Sequence, residues 1–232
     1  MARETAAARA ARAQEILAAL ARTYPQAHCE LDYSTPLELL IATILSAQCT
    51  DKRVNIVTKE LFRVCKSAAD FVALPQEQLE EIVHTTGFFR AKAKNIKACC
   101  TALVERHGGE VPRTMDELLE LRGVARKTAN VVLGNCFGIQ AGVVVDTHVG
   151  RLAKRLGLSK HDDPGKVERD LMALFPRDAW CELSHLLIFH GRAVCRARGN
   201  ACATDAICGE HCSEARPRRA RAKPVTPRRR AR

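Results

Sequence analysis

Apolar residues recur along this chain at intervals of three and four almost from end to end. Ile16, Leu17 and Leu20 form one such stripe, Leu37, Leu40, Ile41, Ile44 and Leu45 a second, and Val54, Val57 and Leu61 a third. Residues three or four apart share one face of an α-helix, whereas a half-buried strand alternates with period two. The pattern therefore predicts an all-α fold. Ser34, Thr35 and Pro36 read as a helix start, because a hydroxyl can cap the first turn and proline lacks only an N–H that would be unpaired there. Gly87, Gly108 with Gly109, and Gly138 read as breaks. The one β-like run, Gly142 to Val145, is short and reads as an extended connector into a helix near Asp146.

Within this helical pattern the stretch LLELRGVARKTANVVLGNCFGIQAGVVVDTH, from Leu118 to His148, carries chemistry. Leu118, Leu119 and Leu121 close a short helix, Gly123 permits a tight turn, and Thr128, Ala129, Val131, Val132 and Leu133 begin a second helix. This is a helix-hairpin-helix over about 114–136. Such a hairpin aims backbone N–H groups and the positive end of a helix dipole at a phosphate. Lys127 falls in the first turn of the second helix, where a cation is disfavoured. A free lysine has a pKa of about 10.4, so a nucleophilic one needs burial or nearby positive potential to become neutral. The position of Lys127 predicts both. Asp146 follows the apolar run Val143–Val145 and precedes Thr147 and His148, as a helix N-cap or a site carboxylate. On spacing alone, a solvated lysine and a helix cap is the stronger reading.

The run LRGVARKTANVVL followed by VDTH resembles the core signature of the endonuclease III family of DNA glycosylases. SAQCTD at Ser46–Asp51, TTGFFRAKAKNI at Thr85–Ile96 and HGRAVC at His190–Cys195 fall in the family's order, so the resemblance runs from about Ala13 to Cys212. It implies a helical barrel lobe over 29–140 and a second helical lobe made of 1–28 and 141–213, with a cysteine-rich loop at 195–212. It also implies that Lys127 is the amine nucleophile and Asp146 its acidic partner in a cleft between the lobes. Gly123, Val124, Ala125, Arg126 and Thr128 would then grip DNA through the hairpin. Gln48 and Phe88 would enter the stack vacated by a flipped nucleotide, with Phe89 as the rival wedge. His148 would stand near Asp146 as a hydrogen-bonding group. Two positions depart from the family pattern: Arg122 stands where proline is usual, and Ala125 where a second glycine is usual.

Eleven cysteines are an odd number, and with no apolar leader or membrane-length run they do not read as a disulfide framework. Four crowd the segment CRARGNACATDAICGEHC as Cys195, Cys202, Cys208 and Cys212. Four thiolates suit a [4Fe-4S] cluster or a tetrahedral zinc ion, and spacing does not separate the two. The resemblance implies the cluster. The family spacing places its third cysteine where this chain has Asp205, so either Cys208 and Cys212 supply the last ligands by a rerouted loop, or Asp205 ligates, or the cluster is weakened or lost. We expect rerouting. Cys29, Cys49, Cys65, Cys99, Cys100, Cys136 and Cys181 read as small core residues.

A length of 232 residues, 47% hydrophobic, suits one domain or two small lobes with a real core. The net charge of +11 is concentrated at the end: from Glu214 to Arg232 there are nine Lys or Arg and one acid, leaving +3 elsewhere. That segment, with three prolines and little apolar surface, is expected to be a disordered basic tail over 214–232 attracted to phosphate. The combined expectation is a monomeric base-excision-repair glycosylase and abasic-site lyase. It would act on duplex DNA carrying oxidised pyrimidines or abasic sites, away from membranes, in a bacterial cytoplasm. A monofunctional glycosylase of the same fold and a non-catalytic hairpin protein are the alternatives. Lys127 argues against the first, and DNA cleavage would distinguish the second.

Overall fold

The computed structural model describes residues 4–198, 202 and 204–212, so the expected disorder over 214–232 lies outside the described residues. Among the described residues every regular element is helical, and no helix is long and apolar enough to cross a membrane. The chain divides into two compact units, His28–Val144 and Met1–Ala27 with Val145–Arg232.

Helix α1 (Ala6–Thr23) starts at Thr5, whose side chain accepts from the Ala8 N–H, and it belongs to the second of these units. The first unit then runs α2 (Pro36–Leu45), α3 (Asp51–Val64), α4 (Ala68–Ala73), α5 (Gln76–Val83), a 3₁₀ turn at His84–Thr86, α6 (Phe89–His107), α7 (Met115–Leu119) and α8 (Arg126–Phe137). The Ser-Thr-Pro start is as the sequence predicts: Thr35 caps α2 by accepting from the Glu38 N–H, and Pro36 opens the helix. Leu37 and every residue from Leu39 to Leu45 are buried. A helix apolar on all sides belongs at the centre of its domain, and α3, α6 and α8 all pack on α2. Truncating a residue such as Leu40 there would cost about 2–5 kcal/mol.

Of the seven cysteines expected in the core, only Cys65, Cys99 and Cys100 are fully buried, and Cys29, Cys49, Cys136 and Cys181 are half-buried. Helical period assigns a face but not how far a neighbouring helix covers it. Burial pushes the Cys99 thiol up to about 12, which leaves it protonated and inert at neutral pH.

In the second unit α1 packs against α10 (Pro164–Leu174), α11 (Trp180–Ala193) and α12 (Ala206–His211), and α11 also packs against α9 (Thr147–Arg155). Arg9 and Arg12 of α1 reach the end of α9. Arg9 donates to the Leu158 carbonyl, while Arg12 donates to the carbonyls of Leu156 at 2.5 Å and Gly157 at 3.3 Å. Cations belong at a helix C-terminus, where the last carbonyls lack helical partners.

Candidate active site

The hairpin forms between α7 and α8, which pack on each other. Thr114 caps α7, and the turn is closed by the Val124 N–H donating to the Leu121 carbonyl at 3.1 Å. Leu121 lies beyond α7, and α8 begins at Arg126, two residues earlier than the apolar pattern marks. Gly123 has φ +82°, and a Cβ there would stand 3.0 Å from Cβ of Asn95 on α6, so both conformation and space require glycine. Ala125 has φ −99° and ψ 169°, ordinary for an L-residue, so the missing second glycine costs the backbone nothing. Its methyl offers no acceptor, and no side-chain cap closes the first turn of α8. Arg122 is exposed and donates from Nε to Asn95 Oδ1 at 3.3 Å.

Lys127 sits in that uncapped first turn as the sequence predicts, but it is solvent-exposed. The burial expected around it is absent, because the buried face of α8 carries Thr128, Ala129, Val132 and Leu133 instead. Arg126 is likewise exposed, whereas Val124 and Thr128 are buried.

Asp146 is the N-cap of α9. Its Oδ1 accepts from the N–H groups of His148 and Val149, each at 2.8 Å. Both bonds fall on one oxygen, so the cap leaves Oδ2 available for chemistry. His148 Nδ1 lies 3.1 Å from Nη2 of Arg151. Arg151 also donates to the carbonyls of Thr147, Gly191 and Cys195, at 3.3, 3.2 and 3.1 Å, and so ties the start of α9 to the end of α11. A Cβ at Gly191 would lie 3.1 Å from His148 Nδ1 and 3.2 Å from Arg151 Nη2, which explains the glycine of HGRAVC.

Gln48 and Phe88 are both exposed, and they are the two non-glycine residues with positive φ among the described residues, at 53° and 48°. Such backbone costs about 1–2 kcal/mol each and persists only where surroundings enforce it. Phe88 is 69% exposed whereas Phe89 packs against the core, so Phe88 is the more accessible of the two rings. Beneath the two loops lies Lys92 of α6, 5% exposed, donating to the carbonyls of Leu45 at 2.8 Å and Thr86 at 2.7 Å. Burial lowers its pKa, and neighbouring Cys49 acts in the opposite sense. Lys92 was missed from sequence, although helical period already places it on the buried face with Ile96, Cys99 and Leu103.

Cys195, Cys202, Cys208 and Cys212 are all buried. The sulfurs of the first three lie within 4.8 Å of one another, a group able to hold a metal ion. Cys212 joins them by hydrogen bonding with Cys195 and Cys208. Thiol hydrogen bonds from Cys208 and Cys212 pull the Cys195 thiol well below its usual value, and the same bond pushes Cys208 up. Asp205 caps α12, accepting from the Cys208 N–H at 2.8 Å. That short helix turns Cys208 inward from a position three residues past the usual one. The carboxylate is also 3.8 Å from Nε2 of His190, and His190, Asp205 and Cys208 form a second group able to hold a metal. Fully buried His190 lies 3.3 Å from the Cys208 sulfur, and its Nδ1 is 2.9 Å from the Tyr24 hydroxyl. Burial raises Tyr24 to about 12, helped by Asp205 and Cys208. Arg155 donates to Cys195 Sγ at 3.4 Å and to the Arg196 carbonyl at 2.8 Å. Neither Tyr24 nor Arg155 carries a sequence signal, because their partners are far along the chain.

Residues 41–177 match the family model of the HhH-GPD superfamily of base excision DNA repair proteins. The chain is 58% identical over 191 residues to endonuclease III of Synechocystis sp., covering 82% of this chain and 87% of that protein. It is 48% identical to endonuclease III of Bacillus subtilis, covering 78% and 82% respectively. Among solved structures, a trapped endonuclease III–DNA covalent intermediate is similar with a TM-score of 0.86 at 43% identity, covering 90% of this chain and 98% of that one. A non-covalent endonuclease III–DNA complex gives the same TM-score.

Proposed function

This chain belongs to the HhH-GPD superfamily of base excision DNA repair proteins and within it to the endonuclease III family, and on that premise we propose how it works as a DNA glycosylase and abasic-site lyase. Its substrate is duplex DNA, and its lesions are oxidised pyrimidines and abasic sites, in the cytoplasm of a bacterium. The observation that carries the reading is a lysine in the uncapped first turn of a hairpin helix, in a chain that also has an aspartate with one oxygen committed to a helix cap.

Backbone N–H groups at the start of α8 meet a DNA phosphate, and Gly123 lets the turn approach it closely. The target nucleotide leaves the stack. The neutral amine of Lys127 attacks C1', its nitrogen forming a bond to carbon as the bond from C1' to the base breaks and the base leaves with the electron pair. Asp146 stabilises the positive charge that develops on the sugar and takes up the proton the amine releases. Sugar opening gives a Schiff base on Lys127, and removal of a 2' proton expels the 3' phosphate by β-elimination. Water then releases the lysine. Bound DNA covers the exposed Lys127 side chain and removes it from water.

Four buried thiols drawn together by α12 suit a [4Fe-4S] cluster held by Cys195, Cys202, Cys208 and Cys212. When bound, the cluster supplies iron–thiolate bonds that cross-link the end of α11 to α12. Iron and acid-labile sulfide in the purified protein, with zinc absent, would support this; a tightly bound zinc ion would replace it. Borohydride trapping on a duplex with one abasic site tests the chemistry. Wild type is expected to form a covalent adduct, and Lys127→Ala and Lys127→Gln none. A wild type that binds the duplex but yields neither adduct nor nick would replace the lyase with a monofunctional or purely binding role.

A further inference from the structure

We propose that Lys92 is a positioning residue that locks the loops of Gln48 and Phe88 into one preformed wedge. The inference rests on the reading above that these two side chains fill the vacated stack, and all the residues involved lie within His28–Val144.

The two tips come from segments far apart in sequence and meet at one ammonium. Leu45 ends α2 three residues before Gln48, and its carbonyl is among those left without a helical partner. Thr86 ends the 3₁₀ turn two residues before Phe88. Lys92 donates to both carbonyls, at 2.8 and 2.7 Å, and a cation at a helix C-terminus is well placed electrostatically. Its backbone N–H donates to the Phe88 carbonyl at 3.0 Å. One residue therefore holds the Phe88 turn at two points and the Gln48 turn at a third.

Both tips need holding. Left-handed backbone lowers the population of an L-residue by about five- to thirtyfold, and neither Gln48 nor Phe88 is glycine. Released, each would relax to negative φ and swing its side chain away from the direction it now has. A core that needed only filling would be served by methionine at position 92. A lysine buried against two backbone carbonyls instead fixes the spacing of two exposed side chains that have no packing role of their own. Held in advance, the wedge does not have to order when DNA arrives, and less binding free energy is lost.

The test is a duplex with a tetrahydrofuran abasic analogue opposite 2-aminopurine, whose fluorescence rises when the wedge unstacks it; this readout needs no catalysis. At saturating protein, Lys92→Met is expected to give at least about a fivefold smaller rise than wild type. In a Gln48→Ala, Phe88→Ala background the same change is expected to do nothing further. Lys92→Gln keeps an N–H donor, should recover part of the signal, and carries the test if the methionine variant melts early. An unchanged rise in a folded Lys92 variant overturns the proposal, as does a loss that persists in the double-alanine background or a wild type with no rise. Borohydride trapping is run in parallel. If wild type forms no adduct but the rise still depends on Lys92, the lyase assignment fails and the positioning role stands.

Discussion

Replacing Asp146 by asparagine and by alanine separates two jobs that fall to one side chain. Its Oδ1 caps α9 through two bonds of 2.8 Å, and the same carboxylate is the proposed acid partner of Lys127. Asparagine keeps an N-cap acceptor and loses only the charge at the positive end of the helix, about 0.3–1 kcal/mol. Alanine loses the cap as well, a further 0.5–2 kcal/mol or so, for about 1–3 kcal/mol in all. For a chain of this size 1 kcal/mol moves the melting temperature by about 2–4 °C. Asp146→Asn is thus expected to melt about 1–4 °C below wild type and Asp146→Ala about 2–12 °C below. Catalysis should not follow this order. Removing a group that manages protons and charge in the transition state costs about 10²–10⁴ in rate, so single-turnover release of a damaged base should collapse in both variants. Calorimetry and single-turnover kinetics on the same preparations check both halves. Activity of Asp146→Asn within about tenfold of wild type would refute the chemical role, and an Asp146→Ala protein as stable as Asp146→Asn would refute the cap.

Gly123→Ala combines left-handed strain with a Cβ 3.0 Å from Asn95, whereas Gly138→Ala, at φ +65° with nothing within 4 Å, carries strain alone. Denaturant melts should show Gly123→Ala the more destabilising by about 1 kcal/mol or more, and equal losses would mean that α6 yields freely. Asp70 completes the capping box of α4, and bonds from the N–H groups of Lys66 and Ser67 hold its carboxyl below the usual 3.8. A lowered folded pKa stabilises fully above the unfolded value and is lost as pH falls through the folded one. Stability measured from pH 5 downward should therefore fall less steeply in Asp70→Asn than in wild type. Ending the chain after Cys212 removes a net +8. If that segment meets phosphate, the slope of log binding constant against log salt should shrink by about 0.9 for each phosphate no longer neutralised; an unchanged slope would leave the tail without a part in binding.

What the sequence by itself determined is what neighbours within a few residues control. The three-four period marks α2, α3 and α8, Thr35 and Pro36 mark where α2 starts, and Gly123 marks the hairpin turn, because caps, turns and helix faces are local physics. Lys127 was legible as a first-turn residue of the hairpin helix through its motif, and Asp146 as a cap through its place before Thr147. Tertiary structure alone decided the rest. Phe88 is exposed and Phe89 covered because the core reaches one ring and not the other. Asp205 serves as a cap because α12 begins there and carries Cys208 to the other sulfurs. Lys127 is exposed because its neighbours on α8 take the buried face. Lys92, Tyr24 and Arg151 acquire their roles from carbonyls and rings supplied by other elements. Period and capping state which way a side chain points along its own helix; what waits there is set by segments tens of residues away, whose approach no local pattern encodes.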